Sequence, residues 1–154
     1  ITTDLLMRGF KNHCISKNLS IYQALTQLKK TGDRCLLITN KSQQLLGTLT
    51  DGDLRKAILK GANLRSKIMS LYNNKPKFIN ASQSNDKNLI KKLLIDYSID
   101  ILPIIKNKKV IDVIKWGEFF SEDAEKNKIN IDAVVMAGGK GTRLSPFTKI
   151  LPKP

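Results

Sequence analysis

A chain that repeats itself once must solve the same packing problem twice, and that requirement governs roughly the first 120 residues here. Ser20 stands ahead of Ile21, Ala24, Leu25 and Leu28. This is a helix N-cap residue followed by apolar positions at i, i+3, i+4 and i+7 on one face. Gly32-Asp33 ends that helix. Cys35 to Ile38 and Leu45 to Leu49 read as short strands joined across the polar stretch Thr39 to Gln44, a hairpin. Thr50-Asp51-Gly52-Asp53 then leads from the second strand into a helix through Lys60 that Gly61 closes. About 65 residues later the order returns: Leu89, Ile90, Leu93 and Leu94 on a helix, Ile101 to Ile105 and Val110 to Ile114 as strands, and Trp116 to Phe120 opening a helix. A unit this small cannot bury its own apolar face, so the two copies are expected to pack together as one globule. Between them Asn63 to Met69 reads as a short helix. Tyr72 to Lys77 reads as a polar connector, with Pro76 disfavouring helix just before it.

The bulk properties narrow the class. At 154 residues and 41% hydrophobic, the chain can fill one core or two small cores that share an interface, which excludes a disordered or fibrous protein. Its longest apolar run, Ile99 to Ile105, is broken by Asp100 and Pro103 and falls far short of the roughly 20 residues of a membrane span. The opening Ile1-Thr2-Thr3-Asp4 lacks the basic-then-apolar pattern of a secretion signal, so the expected location is cytoplasmic. Cys14, Cys35 and His13 supply neither a disulfide framework nor zinc-ligand spacing, and both cysteines read as reduced packing residues. The formal charge of +14 comes from lysines scattered along the chain without aromatic interleaving. It therefore reads as a solvated surface, with nucleic-acid binding kept as the weaker alternative.

Residue strings inside the repeat carry a family resemblance. Gly47-Thr48-Leu49-Thr50-Asp51-Gly52-Asp53-Leu54 resembles the GxxT(D/E)xD segment of cystathionine-β-synthase (CBS) domains. Leu102-Pro103-Ile104-Ile105 resembles their apolar strand with its proline, and Ile68-Met69 their linker helix. The resemblance spans about Phe10 to Phe120 and implies an α/β (α+β) fold of two β-α-β-β-α CBS repeats, 1–61 and 62–121, packed as a pseudo-twofold Bateman module. It also implies an adenosine ligand such as AMP, ADP or ATP, with Asp53 gripping the ribose and Thr50 near phosphate, and a homodimer built through helices. Thr50-x-x-Asp53 is equally a capping box, the helix N-terminus motif that binds no ligand. In the second copy Lys115 and Glu118 stand where Thr50 and Asp53 stand in the first. These longer side chains make a weaker second site, so one competent site is expected. Trp116 reads as an interface or core anchor rather than a base-stacking platform. A ligand-free dimerisation module is the alternative to a sensor.

After a charged linker, 122–129, Ile131 to Ala137 reads as a buried strand running into Gly138-Gly139-Lys140-Gly141-Thr142-Arg143, a phosphate loop. It is not a Walker A loop, because Gly141 follows Lys140, and GxGxxG fails at Leu144. The string from Val134 through Leu144, with Pro146, Thr148 and Leu151-Pro152-Lys153-Pro154, resembles the opening signature of sugar-phosphate nucleotidyltransferases. That resemblance implies NTP phosphates on Gly138, Gly139, Gly141 and Thr142, with Arg143 and Lys153 as catalytic residues and a sugar phosphate as second substrate. Residues 130–154 would then be the first strand and glycine loop of an incomplete Rossmann-like domain. Its acidic Mg²⁺ ligands and sugar pocket fall beyond Pro154, so catalysis is expected of the full-length parent and not of this piece.

Overall fold

A computed structural model describes residues 9–126. Two units follow one another with the same element order. The first is β1 (Cys14–Ile15), α1 (Ile21–Thr31), β2 (Cys35–Thr39), β3 (Leu45–Thr50) and α2 (Asp51–Leu59). The second is β4 (Ile79–Asn80), α3 (Lys87–Tyr97), β5 (Ile101–Lys106), β6 (Lys109–Lys115) and α4 (Trp116–Lys126). Each sheet has three strands, in the orders β1-β2-β3 and β4-β5-β6, with the first pair parallel and the second antiparallel. The expected repeat is thus present, and the fold is mixed α and β.

Alternation along the strands divides the apolar residues between three layers. Leu36 and Ile38 of β2 join Ile21, Ala24 and Leu28 of α1 and Leu54 of α2 in one core. Leu102 and Ile104 of β5 join Ile79, Ile90 and Leu94 in a second. The opposite faces of the two sheets meet in a third layer, where Cys35 and Leu37 from the first unit pack with Ile101 and Val110 from the second and with Phe10. The hairpin tips extend this contact: Leu45 N–H donates to the Lys108 carbonyl at 3.2 Å and Val110 N–H to the Gln43 carbonyl at 3.0 Å. β5 and β6 turn through Asn107-Lys108, both at positive φ (52° and 65°), the backbone that suits a two-residue hairpin.

The segment 63–67 departs from the expected helix. It forms turns, and only Ile68–Ser70 makes a short 3₁₀ turn. The reason is that its backbone is committed elsewhere. The Ser66 and Leu64 carbonyls accept from Ile21 N–H and Tyr22 N–H, each at 2.9 Å, while the Ser20 hydroxyl and carbonyl accept from Gln23 N–H and Ala24 N–H. All four free donors at the start of α1 are thereby satisfied, two of them by the connector. The Asn63 side chain accepts from Arg65 N–H at 2.9 Å and holds the turn.

The connector next runs beside β3, where Asn73 and Thr48 exchange backbone hydrogen bonds at 3.0 and 2.8 Å. Gly47 allows that approach, since a Cβ there would lie 2.3 Å from the Asn73 carbonyl oxygen and 2.4 Å from the Tyr72 ring. Gly47→Ala must push the connector off β3, and overpacking of this kind costs about 1–3 kcal/mol. Urea denaturation should show a lower midpoint by that amount, with the slope unchanged.

Candidate functional site

Thr50 ends β3 and begins α2, and its side chain and that of Asp53 form a reciprocal cap. The Thr50 hydroxyl accepts from Asp53 N–H at 3.2 Å, and Asp53 Oδ2 accepts from Thr50 N–H at 2.9 Å and from the Thr50 hydroxyl at 2.7 Å. The capping reading of Thr50-x-x-Asp53 is therefore present in full. Asp53 Oδ1 makes no hydrogen bond among the described residues and is the oxygen left for anything else.

Two cavities meet at Thr50. One, of about 270 Å³, lies between β3, the connector and the end of α3, with Thr48, Asn73, Tyr97, Ile99 and Asp100 among its walls. Lys75 and Lys77 edge it, and the Lys77 ammonium sits 4.2 Å over the Tyr97 ring. The other, of about 520 Å³, opens at the start of α2 between Arg34, Arg55, Gly52 and Asp100. Arg55 is held by Asp51 at 2.8 Å, one turn back on the same exposed helix face. Asp53 lines neither cavity; it stands behind Thr50 as its partner.

The second unit repeats the frame with other side chains. Trp116 N–H donates to the Asp100 carbonyl at 2.9 Å, as Asp51 N–H does to the Arg34 carbonyl at 2.9 Å. Strand register also matches, Cys35 opposite Thr50 and Ile101 opposite Lys115. Lys115 and Glu118 thus occupy the places of Thr50 and Asp53, and Ile99 is the counterpart of Asp33. The cleft there, of about 420 Å³, is walled by Asp33, Arg34, Asp100, Lys115, Trp116 and Glu118.

In that cleft Lys115 is already engaged. Its ammonium lies 3.0 Å from Asp33 Oδ2 and 3.6 Å from Glu118 Oε1, and Asp33 Oδ2 is also 2.6 Å from His13 Nε2. Burial pushes the Asp33 carboxyl up, but hydrogen bonds from His13 and Lys115, reinforced by their charges, outweigh it and hold it below the ordinary carboxylate value. Burial also pulls the Lys115 ammonium down, and Asp33 and then Glu118 outweigh that to hold it above the ordinary lysine value. Trp116, partly exposed at 38%, packs on Phe120 with ring centroids 4.6 Å apart. Cys14 and Cys35 are free thiols, pushed up by burial to about 11 and about 12; carboxylates at Asp100, Asp53 and Asp33 add to the effect on Cys35.

Sequence reasoning singled out Thr50, Asp53, Lys115 and Glu118 but not Asp33, Arg34, Asp100 or Tyr97. Those four sit where a helix hands over to a strand, and only the pairing of the two units brings them to one mouth. Gly138, Gly139, Gly141, Thr142, Arg143 and Lys153 lie outside the described residues.

A carboxyl held low in the fold stabilises it at pH above its unfolded value of about 3.9 and loses that contribution as pH falls through its folded value. Asp33→Asn should therefore flatten the acid limb of a melting-temperature profile below about pH 4, while Asp112→Asn leaves it unchanged.

The CBS-domain family model matches residues 3–60. An uncharacterized protein of Chlamydia muridarum is 32% identical over 95 residues, covering 58% of this chain and 28% of its own. One of Rickettsia prowazekii is 25% identical over 118 residues, covering 77% and 36%. The chain spans little more than a third, at most, of the length of these curated relatives. Among solved structures, CBSX2 in complex with AMP superposes with a TM-score of 0.64 at 18% identity, over 80% of this chain and 96% of that one. The CBS-domain-containing protein ATU1752 of Agrobacterium tumefaciens gives 0.63 at 17%, over 71% and 87%. The cytosolic domain of the Mg²⁺ channel MgtE in complex with ATP gives 0.58 at 15%, over 71% and 44%. Residues 3–60 match the CBS domain, and the two units together have the fold of CBS-domain structures.

Proposed function

We propose that this pair of units is a regulatory module that binds an adenosine nucleotide, AMP, ADP or ATP, in the cleft around Thr50. The observation that carries the reading is the contrast between the clefts. The one at Thr50 is open, with an unused carboxylate oxygen on Asp53 beside it, while its counterpart at Lys115 is closed by Asp33. In this reading Asp53 Oδ1 accepts from the ribose hydroxyls. The base lies along Tyr97 and Ile99, and the phosphate lies toward the start of α2 with Arg34 and the free N–H groups of the first turn. The AMP and ATP in CBSX2 and MgtE, which share the fold, support this class of ligand. Among the described residues no helix is long and apolar enough to cross a membrane, and we place the module in the cytoplasm.

Thermal unfolding with AMP, ADP and ATP, on the wild type and on Asp53→Asn, tests the proposal. Asparagine keeps an oxygen for Thr50 N–H, so the cap survives while the anion is lost. A nucleotide at 100 times its dissociation constant stabilises by about 2.7 kcal/mol, roughly 5 to 10 °C here, and that shift should vanish in Asp53→Asn. A shift of equal size in both would remove Asp53 from the site. No shift with any nucleotide would favour the second reading, a ligand-free dimerisation module. That reading draws on the cap already using Thr50 and Asp53 and on the exposed Ile58 and Leu59 of α2, the latter 82% accessible.

For the whole protein we propose repeats at 1–61 and 62–121, a linker at 122–129, and at 130–154 the opening of a sugar-phosphate nucleotidyltransferase. That enzyme would convert NTP and a sugar 1-phosphate to NDP-sugar and diphosphate with Mg²⁺. The support is the residue string from Val134 to Lys153. In the full-length parent, Arg143→Ala and Lys153→Ala should each lower kcat for diphosphate release by on the order of 100-fold. Undiminished release in both would sink the assignment.

A further inference from the structure

Asp33 is the feature that neither the repeat nor the proposed ligand explains. It belongs to the first unit, directly after α1, yet its carboxylate reaches into the cleft of the second, where Lys115 holds the place that Thr50 holds in the first. Its counterpart Ile99 has no charge to offer, so nothing equivalent crosses the Thr50 cleft.

His13 fixes the carboxylate there. Among the described residues it is the buried polar side chain, 3% accessible, and its ring nitrogens face two acceptors: the Gly9 carbonyl at 3.2 Å from Nδ1 and Asp33 Oδ2 at 2.6 Å from Nε2. A ring carrying both protons donates to each and brings a second positive charge to the oxygen that Lys115 already holds. One carboxylate oxygen, two cationic donors and an open cleft of about 420 Å³ form the arrangement by which a site takes a phosphate oxygen.

We infer that the second cleft is a phosphate-binding site held shut by Asp33, whose carboxylate stands in for the ligand's anion on Lys115. Removing that charge opens the cleft to a nucleoside phosphate or to pyrophosphate. The inference rests on the proposed nucleotide reading only for the class of ligand. It also accounts for one working site in a chain with two clefts: Lys115 is a competent phosphate partner, but it is occupied from within. Glu118, 3.6 Å from Lys115 and 70% accessible, can swing toward solvent and does not close the cleft itself.

The protein carries one tryptophan, and Trp116 lines this cleft, so its fluorescence reports on this site and not on Thr50. We would titrate inorganic pyrophosphate, and separately AMP, into the wild type, Asp33→Asn and Asp33→Asn/Lys115→Met. Circular dichroism and melting temperature would verify folding of each. Asparagine can still hydrogen-bond His13, because its amide donates to the ring nitrogen that the carboxylate faced.

The expected result is a saturable change at Trp116 in Asp33→Asn, at an affinity about tenfold above that of the wild type, the size expected when a charge-assisted pair no longer competes. The double variant should lose it. An equal response in wild type and Asp33→Asn would overturn the closure. So would no response in a folded Asp33→Asn, or a response that survives Lys115→Met and therefore reflects general anion attraction to a basic surface. Pyrophosphate needs no ribose grip, so a wild type whose melting temperature no adenine nucleotide shifts defeats the Thr50 reading and leaves this result standing.

Discussion

Each three-stranded sheet has two faces, and its own helices cover only one. Leu36 and Ile38 are buried under α1 and α2, but Cys35 and Leu37 on the same strand point the other way and meet Ile101 and Val110 of the second unit. Fully burying a side chain the size of Leu37 contributes about 1.5–3 kcal/mol, and a unit standing alone would expose that whole layer to water. The shared layer is therefore what makes one globule of two units. It also fixes where the ends of α1 and α3 fall relative to the partner's helix starts, and so which side chains can meet at the clefts.

Because the joining layer relates the units by an approximate twofold, every cleft residue has a counterpart, and the differences carry the information. Thr50 caps α2 and leaves its cleft open, while Lys115, lacking a capping oxygen, extends and pairs with Asp33. Ile99 walls the first cleft where Asp33 crosses the second. The same backbone hydrogen bonds, from Asp51 to Arg34 and from Trp116 to Asp100, support both places. A duplicated frame has become one open and one closed site through side chains alone.

The connector shows where local reading gives out. Asn63 to Met69 has the composition of a helix end, and nothing in its own pattern says that Leu64 and Ser66 must lend their carbonyls to α1. A segment whose hydrogen bonds go to a distant partner cannot keep them for itself. Gly47 is a related case. The motif it belongs to was visible, but the close approach of Asn73 that requires glycine there appears only once the connector is folded against β3.

Helices and strands with strong period were legible without coordinates. Ile21, Ala24 and Leu28 on one face, Ser20 as cap, Gly32 as stop and the twice-repeated order follow from local stereochemistry and apolar spacing, which act over a few residues. So did the Thr50 and Asp53 cap, because its partners are three residues apart. The two-residue strands β1 and β4 carry too little pattern to be read from spacing alone and exist because β2 and β5 offer them an edge. His13, Asp33 and Lys115 are separated by 20 residues and more, and no sequence period connects them. They meet because the apolar layer between the sheets sets one unit's helix end against the other's strand end, a decision made by tertiary packing.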